Sequence, residues 1–332
     1  MTITVILCTY NRCESLARAL ASVAVSQVPE DVRWEVLVVD NNSRDQTRAV
    51  VDEYLQLFPS RFRYTFEPRQ GKSYALNTGV RESVSDVLAF MDDDVEVDSM
   101  WLQRLSNVMR DNRWAGAGGR IVPEAGFTPP RWLEMTHRYA LAPLALFDLG
   151  PESREMAEPP FGTNMAFRRE MFSRYGGFRT DLGPQPGSQI RSEDTEFGAR
   201  LLSGGERLWY EPSAVVYHPV SQERLQRPYF LAWWFDKARA DVREEGIPRN
   251  TKWHVAGVPL FLFRRLVGWL VRWMCAFDPG RRFSMKLNVW RVAGAIAEYR
   301  HQRGQDWRGS TEEIAIVTQP SEFPAKRRAE TP

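Results

Sequence analysis

Residues 87–95 read Val-Leu-Ala-Phe-Met-Asp-Asp-Asp-Val, five apolar residues followed by three carboxylates. A short apolar run closed by turn-forming residues is the pattern of a buried strand that ends in an acidic turn. Three like charges at one strand end repel each other unless a cation sits among them, and carboxylate oxygens suit a hard divalent ion. A solvated acidic turn leading into a helix capped at Asp98-Ser99 accounts for the same residues. The triplet alone leaves both readings open.

Upstream of this strand the chain alternates. Thr4–Thr9 and Trp34–Val39 are nearly continuous apolar runs, and Arg63–Phe66 is a third short one. Between them, Glu14–Val25 places Leu16, Ala19, Leu20 and Val23 at helical spacing, Asp45–Phe58 is helical, and Gly71 opens a helix running to about Ser83. Strands without alternation, separated by amphipathic helices, predict an α/β fold with a mainly parallel central sheet flanked by helices. In such sheets functional groups collect at the carboxyl ends of the strands. Thr9-Tyr10-Asn11, Asp40-Asn41 and Asp92-Asp93-Asp94 all fall there. Each is also ordinary turn chemistry, but the recurrence at three strand ends points to one shared crevice. No glycine-rich phosphate loop follows the first strand, and Gly71-Lys72-Ser73 lacks the upstream glycine of a P-loop. A dehydrogenase and a P-loop NTPase are disfavoured, and any nucleotide is expected to be held by side chains and a metal.

With 43% apolar and 26% charged residues the 332-residue chain is of globular composition. Three cysteines and four histidines are too few and too scattered for a disulfide framework or a zinc cluster, so the expected metal is an oxygen-loving one, Mg or Mn. The N-terminus runs directly into strand without a basic start or cleavage site, which predicts a cytoplasmic protein. Charge is uneven. Residues 219–309 carry 17 Lys+Arg against 8 Asp+Glu and seven of the twelve tryptophans, which leaves −7 on the rest of a chain whose total is +2. An acidic front and a basic, Trp-rich back suggest two parts with different partners.

The middle of the chain is looser. Ala115–Val122 reads as a small-residue strand, Thr128–Leu133 as the start of a short helix, and Pro151–Pro160 as a mobile loop. Leu182–Gln189 is a flexible approach to Ser192-Glu193-Asp194. Ser192 is expected to cap a helix bearing Phe197, Leu201 and Leu202. The acids in its first turn are either functional or simple compensation of the helix dipole. Arg207–Tyr210 and Ala214–Tyr217 read as two strands, the second ending at His218, a residue that is either structural or a ligand.

Taken in order, these blocks resemble the family 2 glycosyltransferases: Val-Ile-Leu-Cys-Thr-Tyr-Asn-Arg, Val-Val-Asp-Asn-Asn-Ser, Gly-Lys-Ser-Tyr-Ala-Leu-Asn-Thr-Gly, Phe-Met-Asp-Asp-Asp-Val, Gly-Thr-Asn-Met-Ala-Phe-Arg-Arg, Gly-Gly-Phe-Arg-Thr-Asp-Leu-Gly, Ser-Glu-Asp-Thr-Glu-Phe and Tyr-Glu-Pro-x-Ala-Val-Val-x-His. The resemblance spans Val5 to His218. It implies a GT-A fold and metal-dependent, inverting transfer from a nucleoside-diphosphate sugar donor to a glycan or lipid-linked acceptor. It also implies site roles. Thr9, Tyr10 and Arg12 line the base and Asp40 contacts it; Lys72 and Asn77 border the nucleotide sugar, and Gly162 and Asn164 the donor sugar. Asp92 faces the ribose and sugar, Asp94 ligates the metal, and Asp93 between them is the expendable member of that binding element. Asp194 is the base with Glu193 beside it, and His218 is a further metal or diphosphate contact. The Gln-x-x-Arg-Trp motif and transmembrane array of processive synthases are missing, which implies one sugar added per binding event.

Behind this region, Pro259–Phe277 and Arg281–Arg300 mix Trp, Phe and Leu with arginine. Their uncharged runs are too short to span a bilayer. They read as interfacial helices on the cytoplasmic membrane face, engaging it through residues 255–300, or as helices packed on the catalytic core or in a dimer interface. The expected division is a catalytic domain at 1–220, a helical basic region at 221–309 and a disordered tail at 310–332. Two other functions compete: sugar-phosphate nucleotidyl transfer, which wants a basic glycine-rich loop after the first strand, and a nucleotide-sugar-binding scaffold. No nucleic acid partner is expected, because the basic segment is rich in Leu and Phe.

Overall fold

The computed structural model describes residues 1–133, 135, 141–187, 190–245 and 253–304. The chain opens as β1 (Thr2–Thr9), α1 (Cys13–Ala24), β2 (Arg33–Asp40), α2 (Thr47–Leu57) and β3 (Phe62–Phe66). It continues as α3 (Lys72–Glu82), β4 (Val87–Asp92), β5 (Glu96–Val97), α4 (Trp101–Met109) and β6 (Gly116–Pro123). After a 3-10 turn at Ala142–Leu144 come β7 (Arg154–Glu155), β8 (Met165–Arg168), α5 (Arg169–Tyr175), α6 (Glu193–Ser203) and β9 (Leu208–His218). The sheet runs β3-β2-β1-β4-β8-β6-β9-β5, with β7 also on β9. Pairings from β3 to β4 are parallel, as is β6 with β9, while β8 runs antiparallel to both its neighbours. This is the expected α/β sandwich on a mainly parallel sheet.

The inner strands β1 and β4 are largely apolar because both faces are covered. On β4, Val87, Ala89 and Met91 join the layer formed with α1, α2 and α4. Leu88 and Phe90 point the other way into the layer of α3, α5 and α6. β1 divides likewise, with Ile3, Val5 and Leu7 on one side and Ile6 on the other, the period-two consequence of strand geometry. The four residues expected on the inner face of α1 are its buried ones. The chain winds outward through β2 and β3, then returns to lay β4 on the other side of β1. That reversal leaves a crevice beyond the carboxyl ends of β1 and β4.

Several local expectations differ from the structure. The two strands expected at 207–217 are one strand, β9. Its register on β6 slips between Gly119 and Arg120, so Pro212-Ser213-Ala214 bulge out. A proline cannot donate to the ladder, and a bulge accommodates it without breaking the strand. The supposed loop at 151–160 contains β7, because Arg154 and Glu155 find an open edge of β9. Arg131-Trp132 form a turn rather than helix; part of the following stretch, the end of the 182–189 approach and the tail at 310–332 lie outside the described residues. Ser192 does not cap α6 with its side chain. It adopts φ 90°, and its hydroxyl faces Glu244 instead.

The 221–309 region holds three helices, α7 (Arg227–Glu245), α8 (Leu260–Cys275) and α9 (Pro279–Gly304), with a small hairpin of β10 (His254–Val255) and β11 (Val258–Pro259). α7 and α9 pack on the core. Phe230 joins its main cluster, Phe283 and Leu287 lie against it, and the Trp132 ring meets Phe230 and Phe283 edge-on. Fully buried Glu298 receives Arg239 and Arg243 at 3.1 and 2.7 Å. Arg243 also donates to the Asp181 carbonyl at 2.7 Å, tying α7 to the catalytic side. α8 differs: of its side chains only Leu262 is buried, while Phe261, Val267, Val271 and Met274 are exposed. Among the described residues no helix is long and apolar enough to cross a membrane.

Candidate active site

Parallel register brings the three polar strand ends together. Thr9 lies beside Asp40, and Cys8 beside Asp92. Asp40 accepts from the Ser43 amide at 2.8 Å and the Tyr64 hydroxyl at 3.0 Å. Asn11, at φ 51°, accepts the Arg44 amide at 2.7 Å and so joins the first two strand ends. Buried Asn41 donates to the Glu67 and Arg69 carbonyls at 3.2 and 2.6 Å and accepts the Gly71 amide at 2.8 Å. It thereby sets the start of α3, where Lys72 stands. Tyr10 projects from this edge, 44% exposed.

The acidic triplet splits three ways, because strand ends at Asp92 and turn begins at Asp93. Asp92 accepts from Lys72 Nζ at 2.6 Å and Thr163 Oγ1 at 2.8 Å. Burial pushes its carboxyl up, but the Lys72 charge and these two hydrogen bonds outweigh that and hold it near 2. Lys72 itself is raised, since Asp92, Glu193 and Asp194 overcome the opposing effect of burial. Asp93, expected to be expendable, is buried and accepts from Arg12 Nη1 at 3.0 Å. Burial lifts it to about 6 against the pull of Arg12. Asp94 takes the same Arg12 nitrogen at 2.9 Å and faces Arg224 Nη2 at 3.9 Å.

His218 Nε2 stands 4.0 Å from Asp94 Oδ1 and 3.2 Å from Arg224 Nη1. Burial is the main effect lowering the His218 pKa, so the neutral imidazole is favoured. A carboxylate oxygen and an imidazole nitrogen facing each other fit a divalent Mg or Mn ion by donor type and spacing. Among the described residues no group of three or more His, Cys, Asp or Glu is set to hold a metal.

Across the crevice, α6 begins with the second acidic pair. Glu193 is buried, 3.6 Å from Lys72 Nζ, and burial raises its carboxyl to about 7. Asp194 is fixed by two backbone donors: Gly162 N to Oδ2 at 2.5 Å and Thr195 N to Oδ1 at 2.7 Å. A Cβ on Gly162 would lie 2.8 Å from that same Oδ2, so any larger residue would push the carboxylate back. Each carboxylate oxygen keeps a further lone pair. Asp92 and Asp194 border one cavity of about 500 Å³, with Lys72 and Thr163 between them. A larger hollow of about 770 Å³ beside Met1, Asp86 and Arg110 contains none of these groups.

Two residues assigned to the donor by resemblance hold neighbouring backbone in the structure. Asn164 is fully buried; it accepts from Trp101 Nε1 at 2.8 Å and donates to the Arg120 and Ala214 carbonyls at 3.0 and 2.8 Å. Nothing of its amide is left for a ligand. Asn77 uses both ends of its amide on the Phe178 backbone, each at 2.8 Å. Two site residues escaped the sequence reading. Thr163 was visible only as part of a motif. Arg224 lies in the basic segment, where nothing in the sequence distinguished it from its neighbours.

Residues 4–176 match the family described as glycosyl transferase family 2. The chain is 32% identical over 227 residues to the succinoglycan biosynthesis protein ExoM of Rhizobium meliloti (strain 1021), covering 68% of each. It is 28% identical over 240 residues to a glucosyl-dolichyl phosphate glucuronosyltransferase of Haloferax volcanii, covering 70% of this chain and 75% of the relative. Among solved structures, it is similar in fold to the mannosyltransferase PcManGT from Pyrobaculum calidifontis in complex with GDP-Man and Mn2+ (TM-score 0.54, 20% identity, 95% of this chain and 78% of the other). GalNAc-T7 with UDP, GalNAc and Mn2+ is similar at TM-score 0.54 and 18% identity, covering 93% and 58%.

Proposed function

The chain belongs to glycosyl transferase family 2, and we propose that it transfers one sugar, with inversion, from a nucleoside-diphosphate sugar to a hydroxyl acceptor. The observation that carries this is the pair of carboxylate stations bordering one cavity, Asp92 paired with Lys72, and Asp194. In the proposed reaction the acceptor oxygen bonds to the anomeric carbon as the bond from that carbon to the diphosphate oxygen breaks. Asp194 takes the acceptor proton. It is held in place by the Gly162 and Thr195 amides, and general-base help of this kind contributes ~10²–10⁴-fold. Attack from the face opposite the leaving group turns an α-linked donor into a β-linked product, or the reverse.

On the donor side, Tyr10 offers an exposed ring to the base, with Thr9 and Asp40 at its edge. Arg12, Lys72 and Arg224 bring positive charge to the diphosphate. Asp94 and His218 would hold a divalent metal, which when bound neutralises charge on the leaving diphosphate. Residues 1–220 form the catalytic unit in this reading, and 221–309 its acceptor wall and membrane face. The exposed apolar side of α8, flanked by Arg264, Arg265 and Arg272, supports peripheral attachment to an anionic, cytoplasmic membrane surface, which suits a lipid-linked or surface-glycan precursor. Asp194→Asn tests the assignment. Transfer should fall at least ~10²-fold while nucleoside-diphosphate binding, measured by calorimetry with Mn2+, persists. Near-normal turnover would remove Asp194 as the base, and full activity in excess chelator would remove the metal.

A further inference from the structure

We propose that the acceptor group is a sugar ring received by helix α7, an inference that rests on the glycosyl-transfer reading above. The 500 Å³ cavity has two unlike walls. One is the catalytic wall with Asp92 and Asp194. The other is α7, which presents Trp233, Lys237, Asp241 and Glu244. Their spacings of four, four and three put them along one helix face.

The arrangement suits a hydroxyl-rich ring. Trp233 is partly exposed, and its ring sits 4.8 Å from Trp234 at 76°. Trp234 is buried and carries the Arg291 guanidinium of α9 4.9 Å over its ring, and both also border the cavity. An indole with one wet face covers the C–H side of a sugar. Beside it, Lys237 Nζ lies 2.5 Å from Asp241 Oδ1 and 3.5 Å from Glu244 Oε1. Glu244 Oε1 is shielded from solvent and faces the Lys237 ammonium at 3.5 Å without a full hydrogen bond. A buried acceptor of this kind is costly unless a ligand donor meets it, and a sugar hydroxyl supplies one. An anionic nucleophile such as a lipid phosphate fits less well. Five carboxylates, Asp92, Glu193, Asp194, Asp241 and Glu244, line the cavity against four cations, Lys72, Arg191, Lys237 and Arg291, and the two lysines are each paired with two of the carboxylates. The cavity size lies within the range of small-ligand sites.

The test is ligand-observed saturation-transfer NMR on the full chain, with octyl glucoside, octyl galactoside, octyl mannoside and decyl phosphate as probes below their micellar concentrations. Trp233→Ala and Asp241→Asn are the variants, with thermal unfolding as the folding control. The expected result is transfer to the ring protons of at least one glycoside, with Kd raised tenfold or more in either variant, and no transfer to decyl phosphate. Binding of decyl phosphate alone, binding of nothing, or glycoside binding unchanged in both variants overturns the inference. Release of nucleoside diphosphate from a UDP-, GDP- and dTDP-sugar panel, measured without acceptor, separates the two proposals. Release without glycoside binding defeats this one alone, and glycoside binding without release strikes the transferase reading.

Discussion

Replacing Gly162 by alanine tests whether backbone geometry aims Asp194. The added Cβ would sit 2.8 Å from Asp194 Oδ2, 3.1 Å from its Cβ and 3.3 Å from its Cγ. Ordinary contact needs ~3.5 Å, so the carboxylate must retreat by roughly 0.7 Å. The retreat also stretches the 2.5 Å hydrogen bond from the Gly162 amide. Displacement of a reacting group by ~1 Å costs ~10²-fold, so about two-thirds of that distance is expected to cost ~20-fold in kcat. Because Gly162 is not in the left-handed region, alanine adds no backbone strain, and Tm should shift by less than ~4 °C. The assay is steady-state nucleoside-diphosphate release with the donor and acceptor that a panel identifies, run for wild type, Gly162→Ala, Asp194→Asn and the double variant. If glycine acts through Asp194, the alanine costs nothing more in the Asp194→Asn background. A kcat within twofold of wild type, or equal losses in both backgrounds, would refute the reasoning.

Asn164→Ala should unfold the protein more readily rather than weaken donor binding selectively. It removes three buried hydrogen bonds and strands the Trp101 indole N–H, a loss of about 2–4 kcal/mol to be read from denaturant midpoints; unchanged stability with a raised donor KM would restore a binding role. Glu244 gives a pH dependence. Burial raises its carboxyl from 4.5 to about 7, so the unfolded chain ionises first. The stability associated with it is fully present below about 4.5 and is lost as pH rises through about 7. Glu244→Gln should therefore gain on wild type between pH 5 and pH 8 by on the order of 2–3 kcal/mol, and parallel Tm profiles would contradict this. Co-sedimentation with vesicles should require anionic lipid and weaken with salt; equal binding of Arg264→Glu/Arg272→Glu and wild type would count against α8 as the membrane face.

The parallel half of the sheet was legible in the sequence because both faces of its inner strands are buried, which leaves unbroken apolar runs between amphipathic helices. The same pattern put Thr9, Asp40 and Asp92 at one edge, since parallel strands all end on the same side. Local pattern is weaker where tertiary pairing decides. The sequence splits β9 at Pro212, but β6 continues beside it and holds both halves in one ladder. Arg154-Glu155 becomes strand only because an open edge lies next to it.

The sequence by itself determined the α/β class, the row of polar strand ends and the two separate acidic groups. These depend on side-chain periodicity and local turn chemistry, which act over a few residues. Only the tertiary structure decided what each carboxylate does. Asp92, Asp93 and Asp94 are adjacent in the chain yet meet Lys72, Arg12 and His218, which come from distant segments. Desolvation and charge pairing, not residue type, then hold one near 2 and lift its neighbour to about 6. The same dependence on distant neighbours turned Asn164 from a candidate sugar contact into a buried clasp, and brought the α7 tryptophans, 39 residues beyond Asp194, to the cavity that the acidic strand borders.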